Sequence, residues 1–433
     1  MSWPDGRTQD QYLAFGFVPE LTDGDPLYLL GEWSRLPLRD ARQVSEAVLV
    51  REGVRALRAA FEESAACSGP AAGQVVLLSG GLDSRALLGG LLELYDSAEV
   101  RTATFGLPGE QDFDFAAGVA RAAGVRHEVL ESFSVEWTTP GLVDSVLARE
   151  LPLPHPFGQR YLSYLLHRRI GADHVFWDGL GGDVVGGKTT RATDDRTTWE
   201  AAVADFTDAN LLPDAASYTS PDFRPLSAMP AAPFVTDRVL PYPDQLMFAV
   251  RQARWTSTRA LRGHTIRTPF LSRSWLDFML SVPVRYRQDQ RLYTTILRTA
   301  HPRLFALPTT TFDGAAAPAS PLVQRARLLQ RRVLHKAERM GWPVRSGGKP
   351  DSGANNAIRR GHWERADIRE LIGSNLDDLA ARGVVPGLDA AAIARAMAER
   401  RISDKRVSVL LGWELNLKAL DRLATTDQRP AGP

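Results

Sequence analysis

Val75-Val76-Leu77-Leu78-Ser79-Gly80-Gly81-Leu82-Asp83-Ser84 passes from an apolar run through a glycine turn into Arg85-Ala86-Leu87-Leu88. A short, unbroken apolar run is the pattern of a strand buried on both faces of a parallel sheet. The residues after the turn carry helical spacing, so the segment reads as strand, tight turn, helix. Glycines at such a turn let the backbone approach a ligand closely, and the free N–H groups of the helix start favour an anion. Asp83 is the unusual member. A carboxylate beside a phosphate is repelled unless a divalent cation bridges them, so an acid inside an anion loop points to Mg²⁺. The alternative is an ordinary glycine turn capped by Ser79; the apolar strand before it and the two serines favour the anion loop. It is not the G-x-x-x-x-G-K-[ST] loop, because Arg85 follows Ser84 and the glycines are adjacent.

Outward from this unit the pattern repeats. Val100 to Phe105 reads as a second strand, Phe113 to Ala123 as a helix, Val129 as the start of a third strand, Tyr161 to Ile170 as a helix and His174 to Trp177 as another strand. Strands alternating with helices of this length predict an α/β fold with a doubly wound parallel sheet, whose ligands bind beyond the carboxyl ends of the strands. Before the first strand, Gln11 to Val18 reads as an extended piece and Val44 to Glu63 as a helix with Val48, Val50, Val54, Leu57 and Phe61 at helical spacing on one side. After Thr189 the pattern is mainly helical, with a Pro-rich loop from Pro213 to Pro243. The expected organisation is a short N-terminal segment over 1–70, a nucleotide-binding core over 71–300 and a helical part over 301–433.

The 433 residues are 44% hydrophobic and 24% charged, an ordinary globular balance that excludes disordered and fibrous classes. A lone cysteine, Cys67, forbids an intrachain disulfide and fits a reducing cytoplasm; the eight histidines form no zinc-spaced cluster. The start lacks a signal-peptide pattern and no apolar run is long enough to span a membrane, so a cytoplasmic location without membrane attachment is expected. Net charge is +1, which supplies no global field for nucleic acid. Arg325 to Lys349 is locally basic, with Glu338 its single acid, and reads as a solvated helix face rather than a dock for an acidic peptide or tRNA.

Asp178-Gly179-Leu180-Gly181-Gly182-Asp183-Val184-Val185-Gly186-Gly187-Lys188 closes the strand at Trp177 with a second glycine loop. Two carboxylates at neighbouring strand ends, together with phosphate oxygens, make a suitable magnesium site. With Ser79 to Ser84, this loop resembles the paired motifs of the ATP pyrophosphatases (PP-loop enzymes), and the chain is similar to the synthetase domain of the asparagine synthetase family. Further stretches match in the family's order: Thr104-Phe105-Gly106, Asp112 to Ala117, Arg126-His127-Glu128, Ile266 to Ser272, Leu276-Asp277-Phe278 and Trp413-Glu414-Leu415. The resemblance implies ATP held by Leu78, Ser79, Gly80, Gly81, Asp83, Ser84, Phe105, Gly179 and Gly181. It also implies Mg²⁺ on Asp83 and Asp183, and a substrate pocket edged by Arg267, Leu180 and Val184.

The departures matter equally. Glutamine-using relatives begin with an amidohydrolase domain whose nucleophilic cysteine follows Met1; here Ser2 stands in that place and only about 70 residues precede the first nucleotide-binding strand. Glutamine hydrolysis by this chain is not expected. Val184 follows Asp183 where the family has Glu, and Thr265 and Ser272 replace the acids of the pocket element, which argues against aspartate as substrate. The family's late lysine, placed after a Leu-Pro pair, is missing behind Leu307-Pro308, where Thr309-Thr310-Thr311-Phe312 follows. Lys349 and Lys188 are the candidates for its role.

The expectation is an ATP-dependent ligase that adenylates a carboxylate, releases pyrophosphate and passes the acyl group to an amine in natural-product or peptide tailoring, as in β-lactam synthetase-like and lasso-peptide cyclase-like enzymes. An ammonia-dependent asparagine synthetase-like ligase is the second reading. A catalytically decayed nucleotide-binding subunit is the third, and a PP-loop tRNA-modifying or sulfur-transfer enzyme is disfavoured by the single cysteine. A separate glutaminase, a leader-peptide-binding protein or a carrier protein are the partners such a chain could use.

Overall fold

The computed structural model describes residues 4–20, 26–40, 42–67, 73–149, 157–190, 197–252, 261–312, 314, 316, 365–399, 402 and 404–427. Lys349 and the basic run from Arg325 lie outside the described residues. The chain opens with helix α1 (Gly6–Phe15), whose N-cap Asp5 accepts from the Thr8 N–H at 2.8 Å and which Gly16 ends at φ +79°. This corrects the extended reading of Gln11 to Val18. A short apolar run does not separate strand from buried helix by itself, and here the capping residues on both sides settle the matter: Tyr12, Leu13 and Phe15 are buried in helical register.

Helix α2 (Glu46–Ala66) starts at the N-cap Ser45 and buries Leu49, Gly53, Leu57, Ala60 and Phe61 along one side. Next come β1 (Gln74–Leu77), α3 (Leu82–Leu94), β2 (Val100–Gly106), α4 (Gln111–Ala123), β3 (Arg126–Glu131), α5 (Thr139–Leu147), α6 (Gln159–Ile170) and β4 (Val175–Trp177). The short α7 (Gly182–Val185) and α8 (Trp199–Asn210) precede β5 (Thr265–Arg267), which joins the sheet out of a stretch read from the sequence only as a pocket element. The later helices are α9 (Arg273–Ser281), α10 (Arg291–Ala300), α11 (Ala366–Arg382), α12 (Ala390–Ala398) and α13 (Asp404–Asp427). None of the described helices is long and apolar enough to cross a membrane.

The five strands are all parallel in the order β3-β2-β1-β4-β5. Gln74 pairs with Val100 on one side and Val175 on the other, so chain order reverses across β1. The crevice at such a reversal is where doubly wound sheets take their ligands. Side chains alternate to two covered faces, which explains the unbroken apolar strands. Val76, Val175 and Trp177 face a core built with α2, α3, α4, α9 and α10, whereas Val75, Ala103 and Phe176 pack under Leu166 and Ile170 of α6. Helix α2 sits tight on α10: a Cβ on Gly53 would stand 2.3 Å from Ile296 Cδ1. A second core joins α1, α5, α6, α11, α12 and α13, with Trp413 1% exposed at its centre.

Candidate functional site

Backbone geometry first shapes the loop after β1. The Leu78 N–H donates to Ala103 O at 2.8 Å and the Thr104 hydroxyl donates to Leu78 O at 2.7 Å, so Leu78 prolongs the sheet and its side chain lies in the core. Ser84, in the first turn of α3, accepts from the Ser79 N–H at 3.0 Å, with the two serine hydroxyls 3.0 Å apart. The Gly81 N–H donates to Ser79 Oγ at 3.2 Å, and the Gly80 N–H to Asp112 Oδ1 at 3.0 Å. Asp112 thus does more than meet a helix dipole: it reaches across from the start of α4 to hold the loop. Phe105 is half-buried near the end of β2, opposite Leu130.

The second loop presses onto the first. After β4, the Asp178 N–H donates to Arg267 O at 2.8 Å and its carboxylate accepts from the Leu180 N–H at 2.8 Å. Gly181, at φ +88°, is the N-cap of α7 in a backbone region that glycine adopts freely. A Cβ on Gly179 would lie 2.8 Å from Asp83 Cβ, and one on Gly182 would lie 3.0 Å from Asp83 Cγ and 2.9 Å from the Tyr293 hydroxyl. The glycines of one loop therefore make room for the carboxylate of the other. Leu180 is 7% exposed and Val184 1%, with Val184 inside the main core rather than on an open wall. The Arg267 guanidinium donates to the Cys67 carbonyl at the end of α2.

Asp83 accepts from the Tyr293 hydroxyl of α10 at 2.7 Å. Burial, and next the Asp183 charge, push its carboxyl up to about 7, against the lowering effect of the tyrosine hydrogen bond. Asp183 is received differently: Lys188 Nζ donates to Oδ2 at 2.8 Å and Gln252 Nε2 to Oδ1 at 2.7 Å. Burial disfavours the Lys188 ammonium, but the Asp183 carboxylate outweighs it and the net direction is up. Tyr293 is held well above its ordinary value by burial and by Asp83.

A buried carboxyl whose ionisation is opposed by a second carboxylate is the arrangement a divalent cation relieves. Asp83 and Asp183 supply two carboxylates, and a cation held there would take its remaining oxygens from phosphate and water, the habit of Mg²⁺; among the described residues no cluster of three or more His, Cys, Asp and Glu could hold a metal. The residues present fit such an ion. Tyr293 and Gln252 were not foreseen from the sequence; each comes from a helical stretch remote in the chain, and nothing in its local pattern marks it. Replacing Tyr293 with Phe removes the hydroxyl and keeps the packing of a side chain that is 0% exposed. That variant should weaken Mg²⁺-dependent ATP binding about 10-fold, the cost of one hydrogen bond to a charged group, with little change in melting temperature, as calorimetry would register.

Beyond the loops, Arg149 and Arg160 are buried guanidiniums at the foot and head of the α5–α6 connection. Arg149 Nη2 donates to Arg160 O at 2.9 Å, and burial lowers both, Arg149 to about 10 and Arg160 to about 9. Arg160 also feels the charge of Asp178, which places this cationic pair on the second loop's side of the crevice.

A family model, Asparagine synthase, matches residues 56–325, more than half of the chain. The chain belongs to the asparagine synthase family, a family of ATP-dependent amide-forming ligases. No curated protein matches the sequence. The matched stretch contains both glycine loops, Asp112, Gln252 and Tyr293.

Proposed function

We propose that the chain adenylates a carboxylate with ATP and transfers the acyl group to an amine, in the tailoring of a natural product or peptide within the cytoplasm. The observation that carries this reading is the approach of Asp83 and Asp183 beyond the ends of the neighbouring strands β1 and β4, with Asp83 enclosed by Gly179 and Gly182 of the second loop. The start of α3 from Leu82 to Ser84 would offer its N–H groups to the β- and γ-phosphates, those of Ser79, Gly80 and Gly81 being taken up in shaping the loop, and Gly179 to Asp183 would close over the same place. Mg²⁺, when bound by Asp83 and Asp183, would offset the charge of the departing pyrophosphate.

The roles of the chain's own groups follow from their positions. Tyr293 orients the Asp83 carboxylate; Gln252 and Lys188 hold that of Asp183. Lys188 is the one candidate for the late lysine's role within the described residues, since Lys349 falls outside them, and its ammonium stands beside the phosphate side of the crevice. Arg267, Leu180 and Val184 bound the acyl side in this reading, Leu180 and Val184 from behind as packing rather than as contacts. Loss of the family's acids at Val184, Thr265 and Ser272 favours an acid other than aspartate. The amine is free ammonia, a group on the same molecule, or one presented with the help of a partner protein.

Incubation with ATP, Mg²⁺, a panel of carboxylates and peptides, and hydroxylamine should give a hydroxamate together with AMP. Accumulation of ADP with phosphate in place of AMP would contradict activation at the α-phosphorus.

A further inference from the structure

Arg85 belongs to the first turns of α3 and is 0% exposed. Its guanidinium is spent on backbone carbonyls. Nη1 donates to Leu304 O at 3.0 Å and Leu307 O at 2.9 Å, and Nη2 to Pro308 O at 2.7 Å and, at 3.5 Å, to Gly80 O in the phosphate loop itself. Among the described residues Nε finds no partner, and the Phe305 ring lies 5.8 Å away. No described carboxylate forms an ion pair with it. Buried arginines ordinarily have such a partner.

Three donors converge on one carbonyl of the loop. Besides Arg85, the Thr309 hydroxyl donates to Gly80 O at 2.8 Å and the Thr310 N–H donates to it at 3.0 Å. Thr309 is fully buried, and a Cβ on Gly80 would stand 2.5 Å from Thr310 Cγ2. Residues 304–310 and the loop are thus one unit, with Arg85 as the pin that joins them. This is the segment where the sequence lacks a lysine after Leu307-Pro308. A cation reaches this segment instead from the loop's own helix, α3.

We infer that Arg85 is a positioning residue of the pyrophosphate site: it fixes the peptide between Gly80 and Gly81, and its buried positive charge, which no carboxylate among the described residues pairs, adds to the field that draws the β- and γ-phosphates of ATP. The inference rests on the adenylating reading of the same site. A guanidinium that merely capped the carbonyls of residues 304–308 would support the fold without distinguishing one end of the nucleotide from the other. A charge behind the loop acts most strongly on the polyphosphate end, the nearer one.

Arg85→Lys and Arg85→Gln separate the two roles, because both lose the four-carbonyl fork and only the first keeps the charge. Calorimetric titration of full-length protein with Mg²⁺-pyrophosphate and with AMP is the experiment. Wild-type protein binds pyrophosphate; Arg85→Gln should bind it at least about 10-fold more weakly than Arg85→Lys, while the two bind AMP alike within about 2-fold. Equal pyrophosphate affinity in the two variants, or parallel loss of AMP and pyrophosphate, overturns the inference. Should Arg85→Gln not fold, Arg85→Met takes its place: pyrophosphate binding at least about 10-fold weaker than in Arg85→Lys, with AMP binding alike, upholds the charge role, and equal affinity refutes it. Wild-type protein that binds neither ligand would instead fail the adenylating reading, a result distinguishable from the others because it involves no variant.

Discussion

Asp83→Asn should lose Mg²⁺-dependent ATP binding by about 100-fold or more and, at the same time, melt at a higher temperature than wild type when no nucleotide is present. The two halves of this result have one cause. The carboxyl of Asp83 rises from 3.8 to about 7 through burial and the Asp183 charge, so the folded protein binds a proton there more tightly than the unfolded chain does. An acid raised in this way costs no stability below pH 3.8; the cost grows as pH climbs, and it is complete above about 7. At full development the shift corresponds to about 4 kcal/mol in order of magnitude. The amide keeps an acceptor for the Tyr293 hydroxyl and carries no charge, so the variant's melting temperature should lose this part of its pH dependence. Scanning calorimetry at pH 5 and pH 8 checks it. A wild-type advantage at pH 8 without ligand would mean that Asp83 is stabilised by its surroundings, which is not the environment of a cation-binding carboxylate awaiting its ion.

Gly187→Ala should be the most damaging single-atom addition near the site. Gly187 has φ +90°, and a Cβ there would stand 2.1 Å from the backbone carbonyl oxygen of Arg287, an atom that cannot swing aside. Positive φ alone costs a non-glycine residue of order 1–3 kcal/mol, and the collision adds to that. The position also matters for chemistry, because Gly187 joins α7 to Lys188, and the Gln290 N–H donates to Gly187 O at 3.3 Å. Chemical denaturation should give a loss above about 3 kcal/mol, or no soluble protein. Gly118→Ala, on an open face of α4 with nothing within 4 Å of the added atom, is the control and should be neutral or slightly stabilising.

Both glycine loops and the parallel α/β fold were legible from the sequence because they depend on local signals: an unbroken apolar strand, a turn that only glycine permits, and a helix start. The same logic misread Gln11 to Val18, where the apolar run suits a strand as well as the buried side of α1 and only the caps at Asp5 and Gly16 tell them apart. It also missed β5, three residues long and without a run of its own. Within the candidate site, Asp83 and Asp183 could be named from their motifs. Tyr293, Gln252 and the Arg85–Thr309 brace were not, because what makes them part of the site is a contact between segments roughly 70 to 230 residues apart. Val184, marked for the pocket by its place in the motif, is packed in the main core.

ATP–pyrophosphate exchange tests the central claim most directly. Full-length protein with Mg²⁺ and the panel of carboxylates and peptides should incorporate labelled pyrophosphate into ATP with at least one acid, and Asp83→Asn and Asp183→Asn should each abolish it. Exchange that survives both substitutions, or a wild-type protein that binds Mg²⁺-ATP with none of the panel present or added yet turns it over to ADP, would contradict the account.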